Sequence, residues 1–159
     1  MLVEDNQRQI EELQNTLDTL PVKMLPVQIA SLQRELLQPA WENRLVFSGL
    51  TSGKVHADYQ CLRIMLANLV SNAMKYSPPG SLVELNVQAD PHADVASLCF
   101  WVTNTVGSAG RPDALKVFAR YYRGLGLWLA HTIALKMGSQ LHCCSDDSTV
   151  NFYFTLELC

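Results

Sequence analysis

No apolar run in the chain is long enough to cross a bilayer, which argues against a membrane-spanning helix and against membrane contact by this segment. The opening stretch MLVEDNQRQIEEL is acidic and polar where a secretory leader is basic and then apolar, so the chain reads as soluble. Excess charge is missing as well. A net charge of −3 over 159 residues gives no basic surface for a nucleic-acid backbone. With only 17% charged residues beside 48% apolar ones, there is no case for general disorder. The five cysteines (Cys61, Cys99, Cys143, Cys144, Cys159) form no C-x-x-C pair and are odd in number, so a disulfide framework is not indicated and a reducing compartment fits better. His142-Cys143-Cys144 has no second ligand pair at zinc spacing, and neighbours along a strand point to opposite faces. The length suits one domain with a short appendage.

What the chain does have is concentrated in residues 62–76. Leu62, Met65, Leu66, Leu69, Val70 and Ala73 recur at the spacing of an amphipathic helix's buried stripe. Asn68 and Asn72 are one turn apart and Lys75 follows three residues later, so the three head groups share a polar stripe beside that core face. Asparagine oxygens are neutral ligands for a hard cation such as magnesium, which shares its remaining positions with water and substrate phosphates. Lys75 then supplies a point charge for those phosphates. Asp58 is placed to cap the helix at its start, and Ser77-Pro78-Pro79-Gly80 ends it.

Around this helix the pattern alternates between periods of 3.6 and 2. Ile10, Leu13, Leu17 and Leu20 form a narrow coiled-coil-like seam ahead of Pro21, a segment that either seeks a partner or packs on its own domain. Residues 26–38, with Ile29, Leu32, Leu36 and Leu37, predict a second helix lying on the sheet. Residues 45–47 and 54–56 read as short strands joined by turn residues. Residues 82–89 read as a half-buried strand, and 95–103 as a more central one across an Asp90–Asp94 hairpin connection in which His92 is a loop residue. Residues 140–144 and 150–158 pair through the turn at 145–148. The order predicts an α/β fold in which helices cover one face of a mixed, largely antiparallel sheet.

Two glycine segments complete the set. Asn104 begins a loop in which Gly107 and Gly110 permit close approach of backbone to a ligand. Arg120 and Arg123, in the stretch 113–123, either reach phosphate or stay solvated, the usual fate of surface arginines. Gly124-Leu125-Gly126-Leu127 then opens a helix running through Met137 and capped by Gly138. Glycines before a helix N-terminus let a phosphate reach exposed amides, whose dipole favours negative charge. His131, on that helix, reads as a packing or surface residue rather than a catalyst.

Residues 68–80, N-L-x-x-N-A-x-K-Y-S-P-P-G, resemble the N-box of the ATP-binding catalytic domain of histidine kinases, in the GHKL superfamily that also holds gyrase and MutL. Residues 113–123 resemble that family's F-box helix, with Phe118 and Tyr122 facing the core, and residues 124–127 match its second glycine box, G-x-G-L. The resemblance runs roughly from Val46 to Leu158. It implies a Bergerat-type two-layer α/β sandwich, with nucleotide between the helical layer and a mobile lid. It implies ATP and Mg2+ as cofactors, with Asn72 as the magnesium ligand, Asn68 supporting the metal and phosphate site, Lys75 on phosphate and Tyr76 near the nucleotide. Gly124, Leu125, Gly126 and Leu127 would form the phosphate loop, joined by Arg123. Asn104, with Gly107 and Gly110, stands where the family has D-x-G-x-G, an aspartate that accepts from the adenine amino group. An asparagine carbonyl still accepts that bond but carries no charge.

The implied function is transfer of the ATP γ-phosphoryl group to a histidine on a separate dimerisation domain, upstream of a response regulator and in the cytoplasm. Residues 1–21 would then be the tail of a dimerisation hairpin, with possible homodimerisation through residues 4–20, and 22–159 the nucleotide domain. No H-E-x-x-x-P acceptor motif is present. A non-catalytic nucleotide-sensing or dimerisation module of the same fold is the alternative, motivated by Asn104. A hydrolytic gyrase-type enzyme is disfavoured, because residues 62–76 contain no acidic side chain to act as base. Finally, Arg123 joins Gly124 directly where the family carries a lid. Either the lid is deleted in this chain or its residues are unresolved; the second is favoured, because long mobile loops are often missing from structures, and it expects the two Cα atoms to lie farther apart than the ~3.8 Å of a trans peptide.

Overall fold

The computed structural model describes residues 21–159 and the isolated positions 8, 11, 12, 15 and 19. The seam at Ile10, Leu13, Leu17 and Leu20 lies outside the described residues. The elements in order are β1 (Leu25–Gln28), α1 (Ile29–Leu36), β2 (Leu45–Gly49), β3 (Lys54–Ala57), α2 (Tyr59–Tyr76), β4 (Val83–Ala89), β5 (Ser97–Thr105), α3 (Gly126–Lys136), β6 (His142–Ser145) and β7 (Thr149–Glu157). Five strands form one sheet in the order β2-β4-β5-β7-β6. The β2–β4 pair is parallel and the other three pairs are antiparallel. β1 and β3 make a separate antiparallel ribbon, joined to the end of the chain by the Val55–Leu158 bridge. Among the described residues no helix is long and apolar enough to cross a membrane.

Strand alternation divides the large sheet into a dry face and a wet one. Leu98, Phe100 and Val102 of β5 and Val150, Phe152, Phe154 and Leu156 of β7 are buried on the helix side, where the Phe100 and Phe154 rings stack at 5.0 Å. On the other face Trp101 stacks on Tyr153 at 4.3 Å, and Tyr153 on His142 at 5.0 Å. α2 supplies most of the opposing layer through Cys61, Leu62, Met65, Leu66, Leu69, Val70 and Ala73. Each large side chain among them contributes about 1.5–3 kcal/mol on burial, which makes this helix the anchor of the fold. It starts where expected, with Asp58 accepting from the Cys61 N–H at 3.1 Å. It stops at Ser77, whose ψ of 161° is the extended conformation that a following proline imposes.

Several expectations are corrected. The helix placed at residues 26–38 begins only at Ile29, because residues 25–28 pair with β3; Pro26 is tolerated in a two-stranded ribbon with a free edge. Leu37 falls beyond the helix and is exposed, while Ile29, Leu32 and Leu36 are buried, chiefly against α2 rather than on the large sheet. β2 and β3 are consecutive but do not pair.

Residues 113–123 are successive turns, not a helix. Lys116, Ala119, Tyr122 and Gly124 each donate to the carbonyl three residues back. The reason lies in the ends: the Asp113 N–H donates to the Tyr122 hydroxyl at 2.7 Å, whereas nine helical steps would set those residues about 13 Å apart. Phe118 and Tyr122 do pack on the core, together with fully buried Val117. Arg123 and Gly124 are directly linked. The connection is a turn closed by the Gly124 N–H on the Tyr121 carbonyl at 3.4 Å.

Candidate functional site

The apolar stripe of α2 fixes the rotation of the helix, and the polar stripe follows from it. Asn68 and Asn72 are half-buried, Lys75 is exposed and Tyr76 half-buried. The Asn68 Nδ2 donates to the Ile64 carbonyl at 2.9 Å, which turns its Oδ1 outward, toward α3. A Cβ on Gly126 would lie 3.0 Å from that oxygen, so the first residue of α3 and the N-box helix meet at Asn68. The carboxamide of Asn72 is not spent on a protein hydrogen bond among the described residues.

α3 begins without a side-chain cap: Leu125 is the N-cap residue and no side chain accepts from the first turn. Its leading amides are therefore orphan donors with the dipole's positive end behind them, which suits an anion. Gly124, at φ 88°, makes the turn into the helix in a conformation that favours glycine. Leu127 is buried, so only its backbone is available to a ligand.

A second cluster forms around Tyr76. The Arg123 guanidinium carbon lies 4.3 Å from the Tyr76 ring centroid and the Lys75 Nζ 5.4 Å from it. Arg123 Nη2 donates to the Gly110 carbonyl at 3.0 Å. Gly107 abuts the other end of the residue, where a Cβ would run into the Tyr76 carbonyl oxygen. Tyr76, Gly107, Gly110 and Arg123 are thus brought together. Asn104 is buried near the end of β5, and its Nδ2 donates to the Thr105 carbonyl at 2.8 Å; the oxygen is the part left to accept.

Sequence reading missed Arg44. From the turn before β2 it donates to the carbonyls of Ser81 at 2.9 Å, Met74 at 3.3 Å and Pro78 at 3.3 Å, and to Ser77 Oγ at 2.7 Å. One guanidinium holds the end of α2 and the turn after it. Its partners lie 30 or more residues away, so nothing local signals the role. Arg111 makes a comparable tie, donating to Ser145 Oγ and the Ser145 carbonyl at 3.1 and 2.7 Å.

Burial pushes the thiols of Cys61, Cys99 and Cys143 up to about 11, leaving them protonated and poor nucleophiles. His131 is held below its ordinary value by desolvation, and then by His142, and stacks on Phe118 at 4.7 Å. Among the described residues no group of three His, Cys, Asp or Glu side chains converges on a metal position. A cation at this site would rest on the Asn72 oxygen together with ligand phosphate, as magnesium commonly does.

Residues 57–159 match the family described as histidine kinase-, DNA gyrase B- and HSP90-like ATPases. The chain belongs to this family. Every candidate residue from Asn68 to Leu127 lies within the matched span, whereas Arg44 lies outside it. Relatives include the swarming motility regulation sensor protein RssA of Serratia marcescens, 32% identical over 115 residues that make up 64% of this chain and 24% of the relative. The probable sensor protein PcoS of Escherichia coli is 30% identical over 121 residues, 68% of this chain and 25% of its own length. The chain therefore spans about a quarter of these curated relatives.

Solved structures agree on the fold. The Acinetobacter baumannii histidine kinase AdeS superposes with a TM-score of 0.71 at 19% identity, over 98% of this chain and 80% of that one. Full-length ShkA in complex with AMPPNP gives 0.67 at 22% identity, over 88% of this chain and 32% of its own. The two-layer sandwich expected from the sequence is the fold observed.

Proposed function

We propose that the chain is the ATP-binding catalytic domain of a sensor histidine kinase, which holds ATP with Mg2+ and presents the γ-phosphoryl group to a histidine carried by a separate dimerisation domain. The observation that carries this reading is the approach of Gly126 to Asn68, which sets an uncapped helix N-terminus beside the N-box. The Gly124–Leu127 backbone receives phosphate, Lys75 adds a point charge, Asn72 supplies an oxygen to the cation, and Asn68 supports the metal and phosphate site. Magnesium, when bound, neutralises charge on the phosphate oxygens. The chain's own part is positioning and charge stabilisation, and no residue in it need act as a general base. Asn104 offers a carbonyl to the adenine amino group, beside the loop of Gly107 and Gly110.

On this reading residues 22–159 are the nucleotide domain and 1–21 lead in from the histidine-bearing hairpin, through which two copies would pair. A response regulator receives the phosphoryl group downstream, and dependence on ATP places the domain in the cytoplasm. Calorimetric titration with a non-hydrolysable ATP analogue, with and without magnesium, tests the site. Binding that requires magnesium and is weakened in Asn72→Ala is expected; binding indifferent to both would reject the metal assignment. Asn104 in place of an acidic residue favours one second reading, a module that binds nucleotide without transferring phosphate. Phosphohistidine formed on an acceptor domain added in trans would exclude that module.

A further inference from the structure

Tyr76 is the one aromatic residue in the run 68–80, and its ring is covered. A guanidinium is a planar, delocalised cation that stacks well on aromatic faces, and that of Arg123 lies 4.3 Å from the ring centroid. The same group donates to the Gly110 carbonyl at 3.0 Å. One side chain thereby ties together the end of α2, the loop after β5 and the turn leading into α3. These are the three segments that supply the candidate nucleotide contacts.

The backbone beneath this tie is strained. Tyr121 and Arg123 have φ of 68° and 51°, left-handed values that residues with side chains seldom adopt. Such conformations persist only where the surroundings over-determine them, and they cluster at ligand clamps and switch regions. Here the Asp113–Tyr122 hydrogen bond and the Arg123–Gly110 hydrogen bond hold the turn from either side.

We propose that Arg123 is a built-in competitor for the nucleotide base, occupying the Tyr76 ring until a base displaces it. This rests on the nucleotide-binding reading above and adds a regulation of that same site. A flat base and a flat guanidinium make the same demand on an aromatic face, and both cannot hold it. Displacement gives up the stacking contact and the Gly110 hydrogen bond, and relaxes the backbone at Tyr121 and Arg123. Arg123 is then a brake on affinity rather than a contributor to it, and the brake acts on the base and not on the phosphates.

The test is calorimetric titration of the intact chain, Arg123→Ala and Arg123→Gln with ADP and with inorganic tripolyphosphate. Gln keeps a polar side chain packed in the turn without the cation, so the experiment stands even where Ala loosens the loop. ADP is expected to bind both variants roughly three- to tenfold more tightly than the unaltered chain, the span set by a stacked cation, with tripolyphosphate bound no more tightly. Unchanged or weaker ADP binding by the variants overturns the competitor and leaves the nucleotide site standing. Equal tightening of both ligands overturns a brake specific to the base. Absence of ADP binding in all three proteins overturns the nucleotide reading and the competitor with it.

Discussion

Gly126, the first residue of α3, faces Asn68 of α2 so closely that a Cβ added at position 126 would stand 3.0 Å from the Asn68 Oδ1. The neighbour is the end of a side chain rather than backbone, so an added methyl is accommodated by moving Asn68. Gly126→Ala is therefore expected to keep its stability within about 1 kcal/mol, since Ala is also the better helix former. Nucleotide affinity is expected to fall by roughly tenfold or more, as small misplacements in a phosphate site do. Thermal unfolding beside a nucleotide titration checks both halves. Stability lost with affinity retained would make Gly126 a packing residue only.

Gly107 poses the opposite case. A Cβ there would run into the Tyr76 carbonyl oxygen, with the Tyr76 and Ser77 carbonyl carbons behind it at 3.1 and 3.2 Å. All three are backbone and cannot rotate aside. Gly107→Ala is expected to cost about 1–3 kcal/mol by overpacking and to shift the end of α2 that carries Lys75 and Tyr76. Chemical denaturation gives the first quantity, and a nucleotide titration the second. A midpoint equal to that of the unaltered chain would contradict the packing seen here.

Arg44→Ala should be among the most damaging substitutions outside the core. It removes the guanidinium from the Ser77 hydroxyl and from the Met74, Pro78 and Ser81 carbonyls, of which Pro78 keeps the Ser81 N–H and hydroxyl and Met74 the Ser77 hydroxyl, at about 2–4 kcal/mol for hydrogen bonds from a charged, part-buried group. Arg44→Lys should recover little, because an ammonium cannot span four acceptors set in a fork. Urea denaturation of the two variants decides it, and near-complete rescue by Lys would show that charge, not geometry, holds the turn.

The contrast between these residues shows what the sequence could convey. The N-box stripe, the Asp58 cap, the Pro78-Pro79 stop and the alternation in β4, β5 and β7 were legible because each is decided by local periodicity or a single backbone constraint. Gly126 was legible as part of a motif, though not as the neighbour of Asn68. Arg44 was not legible, because its meaning is created by partners brought close only in the folded chain. The segment at 113–123 misled for a related reason: helix-forming residues such as Ala114, Leu115, Lys116 and Ala119 are overruled by the Asp113–Tyr122 hydrogen bond and by burial of Val117 and Phe118 at adjacent positions. Residues 25–28 misled because pairing with β3 outweighs the start of a helical pattern.

His131 gives the fold a pH dependence whose sign follows from burial. Its ring stacks on Phe118, its Nδ1 is buried without a partner, and desolvation, followed by His142, holds it below its ordinary 6.5. The folded state thus keeps His131 neutral, while the unfolded chain takes up a proton as pH drops past that ordinary value. Stability from this residue is full above 6.5 and declines as pH falls from there toward the depressed folded value. Asp58 and Asp146, whose carboxyls sit below 3.8, act in a separate and more acid range. Denaturation midpoints at pH 7.5 and 5.5 are expected to differ less in His131→Phe, which keeps an aromatic ring on Phe118 and removes the titrating group, than in the unaltered chain. An equal difference in both would assign the pH dependence to other groups.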